Sequence, residues 1–182
     1  MTVDEAAELI HGVAIGTKPE TWADLGAGDG TFTLALAALL EQGSTIHAID
    51  QDVSALRRIR KPPRGVSIVP HAGDFTMQPW PFTALDGVLL ANSLHYVRDW
   101  VALIRDCEQN MKPSSRFLVV EYDTDKPNPW VPNPISFSTL KRVFGDAGYT
   151  SIQRLGTKPS IYQRAQIYGA VIERPRRDRS RA

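Results

Sequence analysis

The chain contains one cysteine, Cys107, in 182 residues. That excludes an internal disulfide framework and a cysteine-rich zinc site, and Cys107 is expected to be a small core residue. No apolar run approaches the roughly 18 residues of a membrane span. The opening residues Met1, Thr2, Val3, Asp4 and Glu5 lack the basic flank and apolar core of a signal peptide, so a cytoplasmic location is expected. The four histidines, His11, His47, His71 and His95, are dispersed, and no metal site is expected. No internal repeat is present. Charge of one sign is also missing, because the formal net charge is +1. A globally basic body built for nucleic acid is therefore not indicated, and nucleic acid is not the expected partner. The imbalance is local. Residues 174–182 hold five arginines and one aspartate. They are expected to form a basic, disordered tail behind one domain over residues 1–173.

Hydrophobic content of 42% is enough for one buried core at this length. The hydrophobic period alternates between strand and helix. Thr2 and Glu5 fit a capping box ahead of a short helix with Val3, Ala6, Ile10 and Val13 on one face. Strands are expected at 21–25, 45–49, 66–69, 85–91, 117–120, 151–155 and 166–173. Helices are expected at 30–41, 53–60, 99–111 and 136–147. The run 85–91 is almost wholly apolar and should be buried on both faces. Alternation of β and α implies a parallel sheet. The last two strands have no helix between them and form a hairpin. The expected fold is therefore α/β, a single doubly wound Rossmann-like seven-stranded sheet with one antiparallel strand. The one low-complexity segment, 126–134, carries prolines at 127, 129, 132 and 134 and is expected to lie over the site.

Trp22-Ala23-Asp24-Leu25-Gly26-Ala27-Gly28-Asp29-Gly30-Thr31-Phe32 reads as a buried strand, a glycine-rich turn and a helix start. Three glycines at spacing two let a ligand approach the backbone closely. The helix that follows points free N–H groups at the same place. Asp50 ends the next strand, about 20 residues on, so loop and acid together suit a nucleoside-containing small molecule. The dinucleotide pattern G-x-G-x-x-G is not met, because Thr31 stands where its third glycine would be. A P-loop is excluded, since no G-K-[ST] follows. Asp24 and Asp29 are awkward beside a pyrophosphate and well suited to a cationic ligand.

On these residues the chain resembles the class I S-adenosylmethionine-dependent methyltransferases, with a pattern similar to the small-molecule, ubiquinone-biosynthesis-like branch. Asp24-x-Gly26-x-Gly28-x-Gly30 matches the family's acid-glycine loop. The resemblance implies that Asp24, Gly26, Ala27, Gly28 and Gly30 cradle the methionine part of the cofactor, S-adenosyl-L-methionine. It implies that Asp50 holds the ribose hydroxyls with Gln51 beside the adenosine, and that Asp74 and Phe75 lie at the adenine. Asn92, in Ala91-Asn92-Ser93-Leu94-His95-Tyr96-Val97, falls near the transferred methyl. Phe117 to Glu121 resembles the family's fifth strand, and Phe144 to Tyr149 its late helix ending.

Methyl transfer needs alignment and exclusion of water more than a dedicated base. His95 and Asn92 are the candidate catalytic residues, His95 because an imidazole titrates near neutrality. Structural roles for His47 and for the Leu-His-Tyr-Val run are the competing readings. The acceptor is expected to be a small molecule methylated on oxygen, nitrogen or carbon. Its cover would come from the first helix and from the proline-rich segment with Trp130. The pocket is then either open to a larger acceptor or completed by a second copy in a homodimer. The Asn/Asp-Pro-Pro-aromatic motif of amino-methylating nucleic-acid enzymes is absent after the fourth strand. A non-catalytic S-adenosylmethionine-binding or scaffold module is the alternative function.

Overall fold

The apolar run 85–91 lies near the middle of a seven-stranded sheet, with six of its seven residues buried. The computed structural model describes residues 1–13, 15–62, 65–160 and 165–173, so the expected tail, 174–182, lies outside the described residues. The strands are β1 (Thr21–Leu25), β2 (Thr45–Asp50), β3 (Ser67–Ala72), β4 (Leu85–Ala91), β5 (Met111–Tyr122), β6 (Ser151–Pro159) and β7 (Gln166–Glu173). The helices are α1 (Val3–Ile10), α2 (Thr31–Leu39), α3 (Val53–Leu56), α4 (Trp100–Asn110) and α5 (Phe137–Asp146).

The strand order is β3-β2-β1-β4-β5-β7-β6. The first five strands in that order are parallel, and β7 runs antiparallel between β5 and β6. This is the expected doubly wound α/β sheet with one antiparallel strand in a C-terminal hairpin. The order reverses between β1 and β4, which opens a crevice at their carboxyl ends where ligands bind in such sheets. Two cores lie on opposite faces. One packs Leu103, Ile104 and Cys107 of α4 and Leu140 and Phe144 of α5 against Val88, Leu90 and Phe117. The other packs Leu9 and Ile10 of α1 and Ala35 and Leu36 of α2 against Trp22, Ile46 and Leu118.

Several expected boundaries move. The helix expected over 53–60 stops at Leu56. Arg58 and Ile59 donate to carbonyls three residues back, at 2.9 and 3.2 Å, so the chain tightens and turns instead of propagating an α-helix. β3 continues to Ala72, because each of its residues pairs with β2. β5 begins at Met111, not 117, and its register with β4 shifts between Leu85 and Gly87 to accommodate the extra residues. β6 runs on to Pro159 through a similar irregularity at Gly156. These extensions are set by a neighbouring strand and leave no local periodicity.

The capping box at Thr2 and Glu5 forms as expected, with Glu5 N donating to Thr2 Oγ1 at 3.2 Å and Thr2 N donating to Glu5 Oε2 at 2.8 Å. The helix it starts lies flat on the C-terminal hairpin. A Cβ on Gly169 would collide with the carbonyl group of Leu9, and one on Gly156 would come within 3.1 Å of Glu8 O. Both neighbours are backbone and have no rotamer to yield. Gly169→Ala is therefore expected to destabilise the fold by about 2 kcal/mol, the usual scale of core overpacking. A urea melt measures this, and an unchanged midpoint would mean that α1 is seated by other contacts.

Candidate functional site

β1 leads the chain to the crevice, and the glycine turn begins where its pairing ends. Gly26, Gly28 and Gly30 have φ of +83°, +56° and +83°, a region that side chains disfavour. Their reasons for lacking a side chain differ. A Cβ on Gly26 would come within 2.6 Å of Ser93 Cβ, and one on Gly30 within 2.8 Å of Ile59. A Cβ on Gly28 would meet nothing within 4 Å. Gly26 and Gly30 are thus packing positions, and Gly28 is the open one.

The turn is tied to β2. Gly26 N and Ala27 N both donate to Ile49 O, at 2.9 and 3.1 Å. Asp50 Oδ2 accepts from Gly28 N at 2.8 Å, and Asp50 Oδ1 from Asp52 N at 2.8 Å. Each carboxylate oxygen keeps acceptor capacity for a further donor. Gln51 is exposed beside it. Gly73 N donates to Asp50 O at 2.9 Å and brings the β3 turn alongside. There Asp74 accepts from Thr76 N and Oγ1 at 2.9 and 2.7 Å, so it shapes its own turn. Phe75 is buried in the core, with its ring edge against Gly26.

A cavity of about 330 Å³ opens on the other side of the turn. Asp24, Gly26, Ala27, Gly28, Asp29 and Asn92 line it, and no basic side chain does. Gly30, Asp50, Gln51, Asp74 and Phe75 are not among its lining. Two buried oxygens in the lining residues, Asp24 Oδ1 and Asn92 Oδ1, have no hydrogen-bond partner. Asn92 sits at φ +54°, with its N–H donating to Val120 O at 2.8 Å. A non-glycine residue in that region marks a constrained position. Asp24 is 1% exposed, and its other oxygen accepts from Thr33 Oγ1 at 2.5 Å. Burial pushes its carboxyl up to about 7, Asp50 adds to the rise, and the Thr33 hydroxyl opposes it. Met1, which carries the amino terminus, also lines the cavity, but no Lys, Arg or His side chain does, and a cavity lined by Asp24, Asp29 and Asn92 suits a ligand that donates hydrogen bonds and carries positive charge. S-adenosylmethionine, with its ammonium and sulfonium, fits that description.

His95 does not join the cavity lining. It lies in a 3-10 turn, Leu94–Tyr96, and is 2% exposed. Its Nδ1 is 2.8 and 3.0 Å from the two oxygens of Glu121, and its backbone N–H donates to Oε1 at 3.1 Å. Glu121 is the partner that sequence reasoning missed. Its only signal was an acid ending the apolar run Phe117–Val120 of β5. The proline-rich segment meets the same turn, because Asn133 N and Nδ2 donate to His95 O at 3.0 and 3.1 Å. It anchors there, while Trp130 remains exposed. His47 and His71 form a separate pair, Nδ1 to Nε2 at 2.9 Å, with Phe82 stacked on His47. Burial lowers the pKa of both.

Residues 23–119 match the family model described as a methyltransferase domain. No curated protein matches the chain significantly. Among solved structures, a S-adenosylmethionine-dependent methyltransferase from Methanosarcina mazei superposes with a TM-score of 0.64 at 12% identity, covering 87% of this chain and 94% of that one. One from Aquifex aeolicus gives 0.61 at 16%, covering 87% and 84%. The [4+2]-cyclase SpnF gives 0.65 at 16%, covering 95% and 80%. At these identities the likeness is one of fold. Among the described residues no helix is long and apolar enough to cross a membrane.

The buried acid gives a pH signature. Between its ordinary 3.8 and about 7, the folded chain keeps a proton on Asp24 that the unfolded chain has released. Stability therefore falls as pH rises through that window, by at most about 1.4 kcal/mol per unit from this group, and stays lowered above it. Asp24→Asn cannot ionise, so its urea midpoint should drop less than the wild type's between about pH 5 and about pH 8. Parallel drops would show that Asp24 titrates as an ordinary carboxylate.

Proposed function

The chain belongs to the methyltransferase-domain family, and from that premise we propose that it transfers the methyl group of S-adenosylmethionine to a small-molecule acceptor presented at the carboxyl edge of the sheet. The observation that carries this is the pair of orphaned buried acceptors, Asp24 Oδ1 and Asn92 Oδ1, in residues that line a cavity with no Lys, Arg or His side chain beside the Asp50-tied turn. The cofactor, when bound, supplies a methyl carbon activated by a sulfonium. Asp24 and Asn92 accept from the ammonium, and its charge favours the ionised form of Asp24. Asp50 takes the ribose hydroxyls on the lone pairs left by Gly28 N and Asp52 N, in charge-assisted hydrogen bonds. Gln51 and Asp74 flank the adenosine end.

His95 is the base for an acceptor that must lose a proton. A carboxylate only accepts, so Glu121 fixes the proton of neutral His95 on Nδ1 and leaves Nε2 with the free lone pair. The half-exposed Tyr96 ring stands 4.3 Å from the imidazole and must turn aside for an acceptor to reach it. The proline-rich segment, held on His95 O through Asn133, walls this side. The ubiquinone-biosynthesis-like pattern of the glycine loop and the Leu-His-Tyr turn supports a small acceptor in place of a polymer. The near-complete burial of His95 favours a second reading, a module that binds the cofactor without turnover.

Calorimetry with S-adenosylhomocysteine tests the first reading directly. Wild type should bind, and Asp50→Ala should bind at least tenfold more weakly, a loss of about 1.4 kcal/mol. No binding at millimolar ligand would sink the proposal. Turnover assays over oxygen, nitrogen and carbon acceptors separate the two readings. With an acceptor found, His95→Gln should leave S-adenosylhomocysteine affinity unchanged and lower kcat by about a hundredfold, the scale of one positioned base. Glu121→Gln should move the pH profile of kcat. An unmoved profile would make the pair structural.

A further inference from the structure

The tightened turn after α3 carries a charge pattern that cofactor binding does not use. Arg57, Arg58, Arg60 and Lys61 are four cations in five residues, and all four are exposed. Among the described residues none of them takes part in an ion pair. The fifth residue, Ile59, points the other way and packs against Gly30 of the glycine turn. Leu56, just before the run, is buried. The segment is thus pinned by its apolar residues, and its cations project outward beside the cofactor cradle. A net charge of +1 for the whole chain hides this patch.

We propose that residues 57–61 bind the phosphate backbone of a nucleic-acid strand. Four unpaired cations along one stretch of chain provide what backbone binding requires, namely displacement of condensed counterions from successive phosphates. A protein partner is a poorer fit, since protein interfaces draw their energy from buried aromatic and apolar anchors, and 57–61 exposes none. An anionic membrane is disfavoured for the same reason, because interfacial segments need an apolar face to insert. The proposal does not depend on methyl transfer.

Fluorescence anisotropy with a fluorescein-labelled oligouridylate as probe tests it on the full chain. Wild type should bind at low salt, with affinity falling steeply as salt rises. Substituting all four residues by alanine should lower the log–log salt slope by about 3, since each lost phosphate contact on a single strand removes about 0.7. Arg58→Gln and Arg60→Gln alone should each lower it by about 0.7. Arg57→Lys, Arg58→Lys and Arg60→Lys together should keep the wild-type slope. A thermal melt and S-adenosylhomocysteine affinity serve as folding controls for every variant. Absence of binding to the probe overturns the proposal. So does a salt slope unchanged by the alanine variant, which would place the contact on other cations, such as the arginines of 174–182. Binding of the wild type to phosphatidylserine vesicles but not to the oligouridylate overturns it in favour of a membrane.

Discussion

The site depends on how the end of β2 holds the turn after β1. Ile49 O takes two backbone donors from that turn, and Asp50 Oδ2 takes a third from Gly28. Glycine reaches left-handed φ without strain, but fixing three glycines there costs conformational entropy that such restraint offsets. The carboxylate does two jobs with one geometry. It fixes the open glycine, and it presents its remaining lone pairs outward. A residue able to do only the second would leave Gly28 N without its partner and the turn free to relax.

Electrostatics then separates the two rims of the sheet. At the amino edge, charges are matched within the chain. Glu20 accepts from Gly16 N and Trp22 Nε1 and pairs with Arg116, while Asp86 accepts from Thr21 N and pairs with Lys112. At the carboxyl edge Asp24 is buried with one oxygen unsatisfied and its carboxyl raised to about 7. Burying an acceptor without a donor costs on the order of 1–3 kcal/mol. Ion pairs gather at the amino edge, and unsatisfied buried carboxyl and amide oxygens at the carboxyl edge, where a ligand that donates hydrogen bonds would complete them.

Much of this could be read from residues in order. The strand-turn-helix around Gly26–Gly30 is local, and Asp50 lies at a spacing fixed by one intervening helix and strand. Neighbours in sequence determine the strand-turn-helix, while the bond from Gly28 N to Asp50, 22 residues apart, forms because β2 pairs beside β1. What escaped was non-local. Glu121 became significant only when β5 lay beside β4 and brought it to His95, 26 residues away in sequence. The requirement for glycine at 169 belongs to α1, which packs there from the opposite end of the chain. α3 stops early, and Ile59 after it packs beside Gly30, a contact that no hydrophobic period announces.

His95 is held differently from the glycine turn. The cradle is held by backbone donors converging on one strand end, and it leaves an open cavity. Around His95, two other segments meet on one residue. Glu121 of β5 takes its ring and its N–H, Asn133 of the proline-rich segment gives two bonds to its carbonyl, and Tyr96 and Tyr122 flank the imidazole. A substitution there must satisfy both at once, whereas the Trp130 side chain is exposed. On the proposed reading of His95 as the base, the exposed Trp130 is the place where acceptor choice can change without disturbing His95 or the Asp50 clasp.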